Sequence, residues 1–514
     1  MTGEGRRSTE LGSAARGGAI TFIGAGTSAA LGFAFNIMVA RMVGPFGAGV
    51  VLQAVALFTI AMALSRLGLD TTAVWVLPPL VRTDKSRLRS VVTGVLAPAA
   101  VIPLFIVAAW YAYAALRPPS SGNQAVYSAI SGVAPFLPAA TVMIVALAAT
   151  RAFGGVVPFN LIGNIAVPAL RPALLAVVVA LGGGTLAAAL SWAVPWFVGL
   201  VFALVILLRM LLRSTRTVGG TWLPDRRTMR SIFSYSLPRT LMAGLEQTYI
   251  WLDVLLVGVI LGSADAGIYG SAARFVAAGV VVLTAFRIVV APRFSVLLAE
   301  RRTAEVEELY SVTARWVLLF GAPIYLTLAV FAPTVLGWLG PGFGSGVSSM
   351  VILSLGSIVV LAAGTVQSLL LMSGRSSWGA FNKLVVVLFN VTGNLILLPR
   401  IGIVGAALTW AASMVLDTGL AAWQVRRATG IALGARSVGA TALMVSLCVA
   451  VPSLAVVAIV GQGTWQMVVG VTLSGMVLLA YCYLDRRRLR LDELGGAMRR
   501  RPPPRGPVPT AEQA

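Results

Sequence analysis

The sequence predicts an all-α polytopic membrane protein of about fourteen transmembrane helices, arranged as two parallel six-helix repeats plus two extra C-terminal helices. Three observations predict it. Of 514 residues, 58% are hydrophobic and only 11% are charged, against about 25% charged in soluble domains, and apolar runs long enough to cross a bilayer recur from end to end. The basic residues gather in alternate connections between those runs. The sequence also repeats itself at an offset of 218 residues.

The spans run near residues 18–40, 47–68, 91–116, 126–150, 157–181, 185–208, 232–261, 266–292, 311–338, 346–373, 377–399, 402–425, 437–460 and 464–484. The first apolar run is too long for the core of a cleavable signal and reads as a span. With the N-terminus inside, inner loops and tails hold 29 Lys and Arg, outer loops hold three (Arg41, Arg117 and Arg400), and seven lie within spans. That partition expects both termini in the cytoplasm. The expected organisation is a tail at 1–16, a first lobe at 17–208, a basic linker at 209–231, a second lobe at 232–427, two helices over 437–484 and a basic, Pro-rich tail at 485–514. Linker and tail read as topological signals, with attachment to an anionic inner leaflet as the alternative. Beyond Arg499 the tail reads as disordered.

The net charge of +22 is therefore membrane topology and not a nucleic-acid footprint. Arginine supplies 37 of the 39 cations, Lys85 and Lys383 being the lysines, a bias that a GC-rich gene explains. Cys448 and Cys482 lie in late apolar segments, which suggests neither a disulfide framework nor a metal site. There is no histidine, so His-ligated metals and histidine proton relays are excluded. No GxxxxGK[ST] occurs, and the outer loops hold one acid, Asp265. Nucleotide hydrolysis and glycosyl transfer are not expected, and the chain reads as a non-enzyme.

The repeat has a fixed register. VARMVGPFGAGVVLQA at 39–54 lies over VGVILGSADAGIYGSA at 257–272, matching Gly44 to Gly262 and Gly49 to Gly267. AAALSWA at 187–193 lies over GAALTWA at 405–411, matching Trp192 to Trp410. Six helices per unit is an even number, so both units enter the membrane the same way round, related by an axis along the membrane normal. A substrate path between the lobes follows.

Charges within spans are the candidate site residues, because each costs roughly 2.5–3.5 kcal/mol at a helix centre. The seventh span carries Arg239, Glu246 and Asp253, one every seven residues, which places them on one helix face about 10 Å apart. Counting outward from hairpin turns puts Asp253 level with Arg274 and Lys383 level with Asp417, so two ion pairs are expected. Glu246 has no depth-matched cation and is the expected protonatable or sodium-binding carboxylate. Arg66 is expected to pair with Asp70 at i,i+4, and Arg239, Arg287 and Arg315 to snorkel toward inner ends. Arg171 sits between Pro168 and Pro172, where lipid would not tolerate the freed carbonyls, so it is expected to face a cavity. Its planar fork suits a pyrophosphate.

The strings VARMVGPFGAGV, FSYSLPRTL, WLDVLLVGVILGSADAGIY, PRFSVLL and LLPRIGIVGAAL resemble the polysaccharide-export (O-antigen flippase) family of the multidrug/oligosaccharidyl-lipid/polysaccharide (MOP) exporter superfamily, over roughly residues 16–430. The resemblance implies two six-helix lobes forming a V, alternating access, residence in the bacterial cytoplasmic membrane, and flipping of an undecaprenyl-pyrophosphate-linked oligosaccharide. Related lipid II flippases carry paired arginines in their first helix; residues 18–40 carry no charge, which argues against a peptidoglycan precursor. On this reading Arg171, Arg274 and Arg239 hold the cargo, no cofactor is needed beyond a coupling cation (H+ or Na+), and the partners are membrane lipids and glycan polymerase or ligase proteins, with no nucleic acid. A cation-coupled multidrug antiporter and a non-transporting membrane scaffold stand as alternatives.

Overall fold

The computed structural model describes residues 3–431 and 435–490; the tail beyond Arg499, expected to be disordered, lies outside the described residues. All regular structure among them is helical. Thirteen helical segments are long and apolar enough to cross a membrane. The first, Gly24–Thr83, has 60 residues, about 90 Å of helix against a hydrocarbon core of ~30 Å. It bends at Gly44, whose φ of 63° and ψ of −173° suit glycine, with Pro45 opening the next helix. It is therefore two crossings, α1 up to residue 43 and α2 over 45–83, and the expected count of about fourteen follows. The others are α3 (Lys85–Leu116), α4 (Gln124–Phe153), α5 (Val156–Ala180), α6 (Thr185–Ser214), α7 (Arg226–Ile260), α8 (Ser263–Ala299), α9 (Thr303–Val330), α10 (Phe343–Ala362), α11 (Ser377–Ile401), α12 (Ile403–Thr429), α13 (Ser437–Val460) and α14 (Thr464–Leu484).

Several helices outrun the apolar stretches that announced them. α2 does not stop near residue 68: Leu67 and Gly68 take left-handed φ values of 48° and 62°, and the helix then restarts. The Gly68 carbonyl accepts from the Thr72 amide at 3.0 Å and from the Thr71 and Thr72 hydroxyls at 2.8 and 2.9 Å, which nucleates the new turn. Arg66 and Asp70 pair across the break at 3.3 Å, as their spacing predicts. α7 starts at Arg226 inside the expected linker because Asp225 caps it, accepting from the Thr228 amide at 3.1 Å. Hydrogen bonds from Thr228 hold that carboxyl below its ordinary pKa, so the cap is ionised at neutral pH.

The described residues form two compact units, the first drawn from 3–281, 332–357 and 375–420, the second from 282–331, 358–374, 421–431 and 435–490. In the first unit one core joins α2 through α6, with Leu77, Leu88, Val92, Leu147, Leu207 and the α7 residue Ile232 all buried. The basic linker is strapped beneath it. Arg89 donates to Thr215 at 3.1 Å, Arg87 donates to Thr228 at 2.9 Å, and Arg89 lies over the Trp222 ring at 5.4 Å. The basic end of α7 thus packs with the first repeat, where Tyr235 stacks on Trp75 at 4.0 Å. Its other half packs with the second repeat, where Tyr249 meets Val386 and Val387 of α11.

In the second unit, the Ser453 and Ser474 hydroxyls join α13 to α14 at 2.9 Å. The segment after α14 folds onto α9: Arg315 donates to the Arg488 carbonyl at 2.5 Å, Trp316 donates to the Leu489 carbonyl at 2.9 Å, and Arg490 pairs with Glu308.

The repeat register reappears as a contact. A Cβ on Gly49 would collide with the Ser263 carbonyl, and one on Gly267 with the Pro45 carbonyl and the Gly49 amide. A residue touching its own repeat mate is what a two-fold relation places near its axis. Gly44 and Gly262, also mates, both turn the chain with positive φ. Because backbone cannot yield as a side chain can, Gly267→Ala should destabilise the detergent-solubilised protein by about 1–3 kcal/mol, the range for overpacking, seen as a lowered melting temperature. Gly26→Ala, where an added Cβ meets nothing within 4 Å, should melt like the unaltered chain. Equal melting of the two variants would remove the α2–α8 contact.

Candidate functional site

The charged stripe on α7 does not stay on one surface. Arg239 and Glu246 are exposed while Asp253 is 3% exposed. A seven-residue spacing drifts about 20° per step on a straight helix, and at the level of Asp253 neighbouring helices cover the face. Asp253 accepts from the Tyr269 hydroxyl of α8 at 3.2 Å and from the Asn394 amide of α11 at 2.9 Å. Asn394 also donates to the Asn390 side-chain oxygen at 3.1 Å and to its carbonyl at 2.9 Å. Near this carboxylate two polar atoms are buried without a hydrogen-bond partner, Asn394 Oδ1 and the Thr409 hydroxyl. Thr409 of α12 packs directly on Gly393, between the two asparagines.

The expected ion pair between Asp253 and Arg274 does not form. Arg274 lies over the Trp251 ring at 3.9 Å instead. Equal depth is not equal azimuth: Trp251 and Asp253 are two residues apart on a helix and point to nearly opposite sides, and Arg274 meets the Trp251 side. The other expected pair does form, Lys383 Nζ reaching Asp417 Oδ2 at 2.7 Å. Lys383 also lies over the Tyr249 ring at 5.1 Å. Thr409, Ser413 and Asp417 follow one another at i,i+4 along α12 and all are buried. The second repeat therefore contains a polar seam made by α7, α11 and α12. Glu246, the expected ion-binding carboxylate, is exposed, while Asp253 is enclosed by amide and hydroxyl groups.

In the first repeat the charge has the opposite sign and a different setting. Arg171 of α5 lies over Trp192 at 4.6 Å and Trp196 at 5.0 Å, both on α6. Trp192 in turn meets Phe58 of α2 edge-on at 5.1 Å. No carboxylate pairs with Arg171 among the described residues, and its Nε is buried without a hydrogen-bond partner. Cation–π contact sustains the charge and leaves the guanidinium donors available to an anion. α5 opens with a wide π-type turn over Phe159–Ala166, a feature frequent at functional sites. There Asn160 donates to Thr21 of α1 at 3.2 Å and accepts from Asn164 at 2.8 Å. Arg239 lies over Tyr235 at 3.8 Å near the basic end of α7. Arg287 reaches Gln367 at 3.5 Å.

Charge counting missed the asparagines and the tryptophans, although the signal was present. The string F-N-x-x-G-N occurs at 159–164 and again at 389–394, putting an i,i+4 amide pair on one helix face each time. The Lys383–Asp417 pair carries a test. Lys383→Ala removes the counter-charge of a buried carboxylate and should cost about 3–5 kcal/mol, read from melting curves; Lys383→Met combined with Asp417→Leu should recover most of it. A double variant as unstable as the single one would mean that the pair is not the stabilising element.

Known proteins were compared with this architecture. A probable low-salt glycan biosynthesis flippase, Agl15 of Haloferax volcanii, is 26% identical over 202 residues, which span 38% of this chain and 42% of that relative. Among solved structures, the lipid II flippase MurJ in an inward closed conformation superposes with a TM-score of 0.72 at 12% identity, covering 92% of this chain and 99% of its own. An inward-facing multidrug resistance MATE family transporter gives 0.67 at 15% identity, with 79% and 94% covered. A MOP superfamily transporter from Pyrococcus furiosus, described as having a binding pocket of reverse polarity, gives 0.57 at 14% identity, with 80% and 95% covered. These structures share the fold, that of MOP superfamily transporters. The family model for polysaccharide biosynthesis proteins matches residues 14–298, more than half of the chain, and the chain belongs to that family.

Proposed function

We propose that this protein flips a polyprenyl-pyrophosphate-linked oligosaccharide across a bacterial cytoplasmic membrane by alternating access, with both termini in the cytoplasm. The observation that carries this reading is Arg171, a guanidinium within a membrane-spanning helix, held on two indoles without a carboxylate. A transporter of organic cations needs the reverse, an unpaired acid facing aromatic rings. A pyrophosphate supplies the missing counter-charge with oxygens that a planar fork can engage bidentately. Arg239, exposed near the basic end of α7, would meet the same head group on entry. Glycan polymerase or ligase proteins would take the product outside, and the protein itself performs no bond chemistry.

Coupling is assigned to Asp253. A carboxylate, two amide side chains and buried hydroxyls form a hard oxygen set that suits a dehydrated Na+ better than a large organic cation. Such an ion would neutralise Asp253 and draw on Asn390, Asn394 and Thr409. Na+ in place of choline should therefore raise the melting temperature of the purified protein by several degrees, since an ion at about 100 times its Kd contributes ~2.7 kcal/mol. Asp253→Asn should remove that increment. A shift that persists in Asp253→Asn would place the ion elsewhere.

The cargo is read by mass spectrometry of lipid extracts. A strain lacking the protein should accumulate one polyprenyl-pyrophosphate oligosaccharide. Complementation with Arg171→Ala should restore flux at least about ten-fold less well than the unaltered gene, a ~1.4 kcal/mol loss. An unchanged lipid pool in a strain with no second flippase would favour the cation antiporter.

A further inference from the structure

Between α2, α3 and α4 lies a cavity of about 220 Å³. Its walls are Ala54, Leu57, Phe58 and Ala61 of α2, Ile106, Val107 and Trp110 of α3, and Ile130, Val133, Ala134 and Leu137 of α4. The one polar group in this wall, the Trp110 indole N–H, is already donated to the Ser131 hydroxyl at 3.0 Å. Water would find no partner there, and apolar cavities of this kind stay dry or take hydrocarbon.

Three further observations say which hydrocarbon. Counting 1.5 Å per residue from the helix ends opposite the basic loops, the walls lie roughly 9–24 Å from those ends, on both sides of the middle of a ~30 Å hydrocarbon core. The end of α3 and the start of α4 above it carry an aromatic cluster, Trp110 with Tyr127 at 5.3 Å and Tyr113 at 6.0 Å, as at a membrane–water interface. Arg171 is nine residues from the end of α5, about 14 Å deep by the same count. It is one aromatic layer from the cavity, through Trp192 to the wall residue Phe58.

An ordinary phospholipid keeps its phosphate at the interface. A lipid with its anionic head at Arg171 and its chain in this cavity has both at mid-depth, which only a lipid in transit does. We propose that the α2–α3–α4 cavity seats the first isoprene units of the polyprenyl-pyrophosphate cargo while its head is held at Arg171. The inference rests on the flippase reading above and adds where the chain leaves the protein: on the first repeat, at mid-depth between α2, α3 and α4. Phe58 and Trp192 form the partition over which the molecule is draped, apolar chain on one side and charge on the other.

The test is photo-crosslinking of the full-length protein in lipid nanodiscs, with a polyprenyl pyrophosphate bearing a diazirine on its first isoprene units. Adducts should map to peptides covering 54–61, 106–110 or 130–137. Filling the cavity with Ala61→Phe, or independently with Ala134→Leu, should lower them about ten-fold, as should Arg171→Ala, in variants that elute like the unaltered chain. The same diazirine on an acyl chain of phosphatidylglycerol should label these peptides weakly. Adducts confined to other helices would overturn the inference and leave the flippase reading intact. Equal labelling by phosphatidylglycerol would make the cavity a seat for boundary lipid and overturn it as well. Failure of the flippase reading shows separately, as an unchanged lipid pool in the strain lacking the protein.

Discussion

A charge placed in hydrocarbon has no water to turn to, and the interior of this protein is organised by how each one is answered. Asp253 is met by a phenol and an amide, Asp417 by an ammonium, Arg171 and Arg274 by indole faces. Each solution needs side chains from at least two helices. The charges therefore dictate which helices must lie side by side, and their partners account for much of the buried polar chemistry. Where a charge is answered by neutral dipoles or π-faces and no opposite charge, it keeps most of its field. Such positions are the ones able to engage an ion or an anionic head group.

The two repeats share a backbone plan and have diverged in electrostatics. The glycines at the first turn of each repeat retain their register because their φ is positive, and those at the α2–α8 crossing because backbone contacts tolerate no Cβ. The asparagine pair of F-N-x-x-G-N recurs as well, but the charges do not. The first repeat carries a cation on an aromatic platform in α5 and α6; the second carries acids in a seam of asparagines and hydroxyls. A symmetric frame with asymmetric charges leaves two different polar settings, a guanidinium on indoles in the first repeat and a carboxylate among neutral dipoles in the second. α7 connects them, with one end in the core of the first repeat and the other against α11.

Much of the fold was legible in the sequence because membrane insertion is a nearly one-dimensional problem. Span length, apolar content and the placement of arginines follow from bilayer thickness and the positive-inside rule, and neither depends on which helix neighbours which. The 218-residue repeat survives for a similar reason, since its glycines are demanded by local turns and one close crossing. The Lys383–Asp417 pair could be read by counting residues from a hairpin turn, as its members also happen to share an azimuth.

What only the tertiary structure decided is azimuth and company. Counting placed Asp253 level with Arg274, yet the two side chains leave their helices toward different neighbours, Asn394 on one side and Trp251 on the other. The docking of the linker on the α2–α3 connection depends on packing partners far away in the chain. The sequence by itself determined an all-helical, fourteen-span chain with an internal duplication and a strongly basic face, because those properties follow from one helix at a time in an apolar solvent. Which charges stand alone, which are paired, and which lie beside a cavity were settled by the packing of helices, since rotation about a helix axis leaves every hydropathy count unchanged.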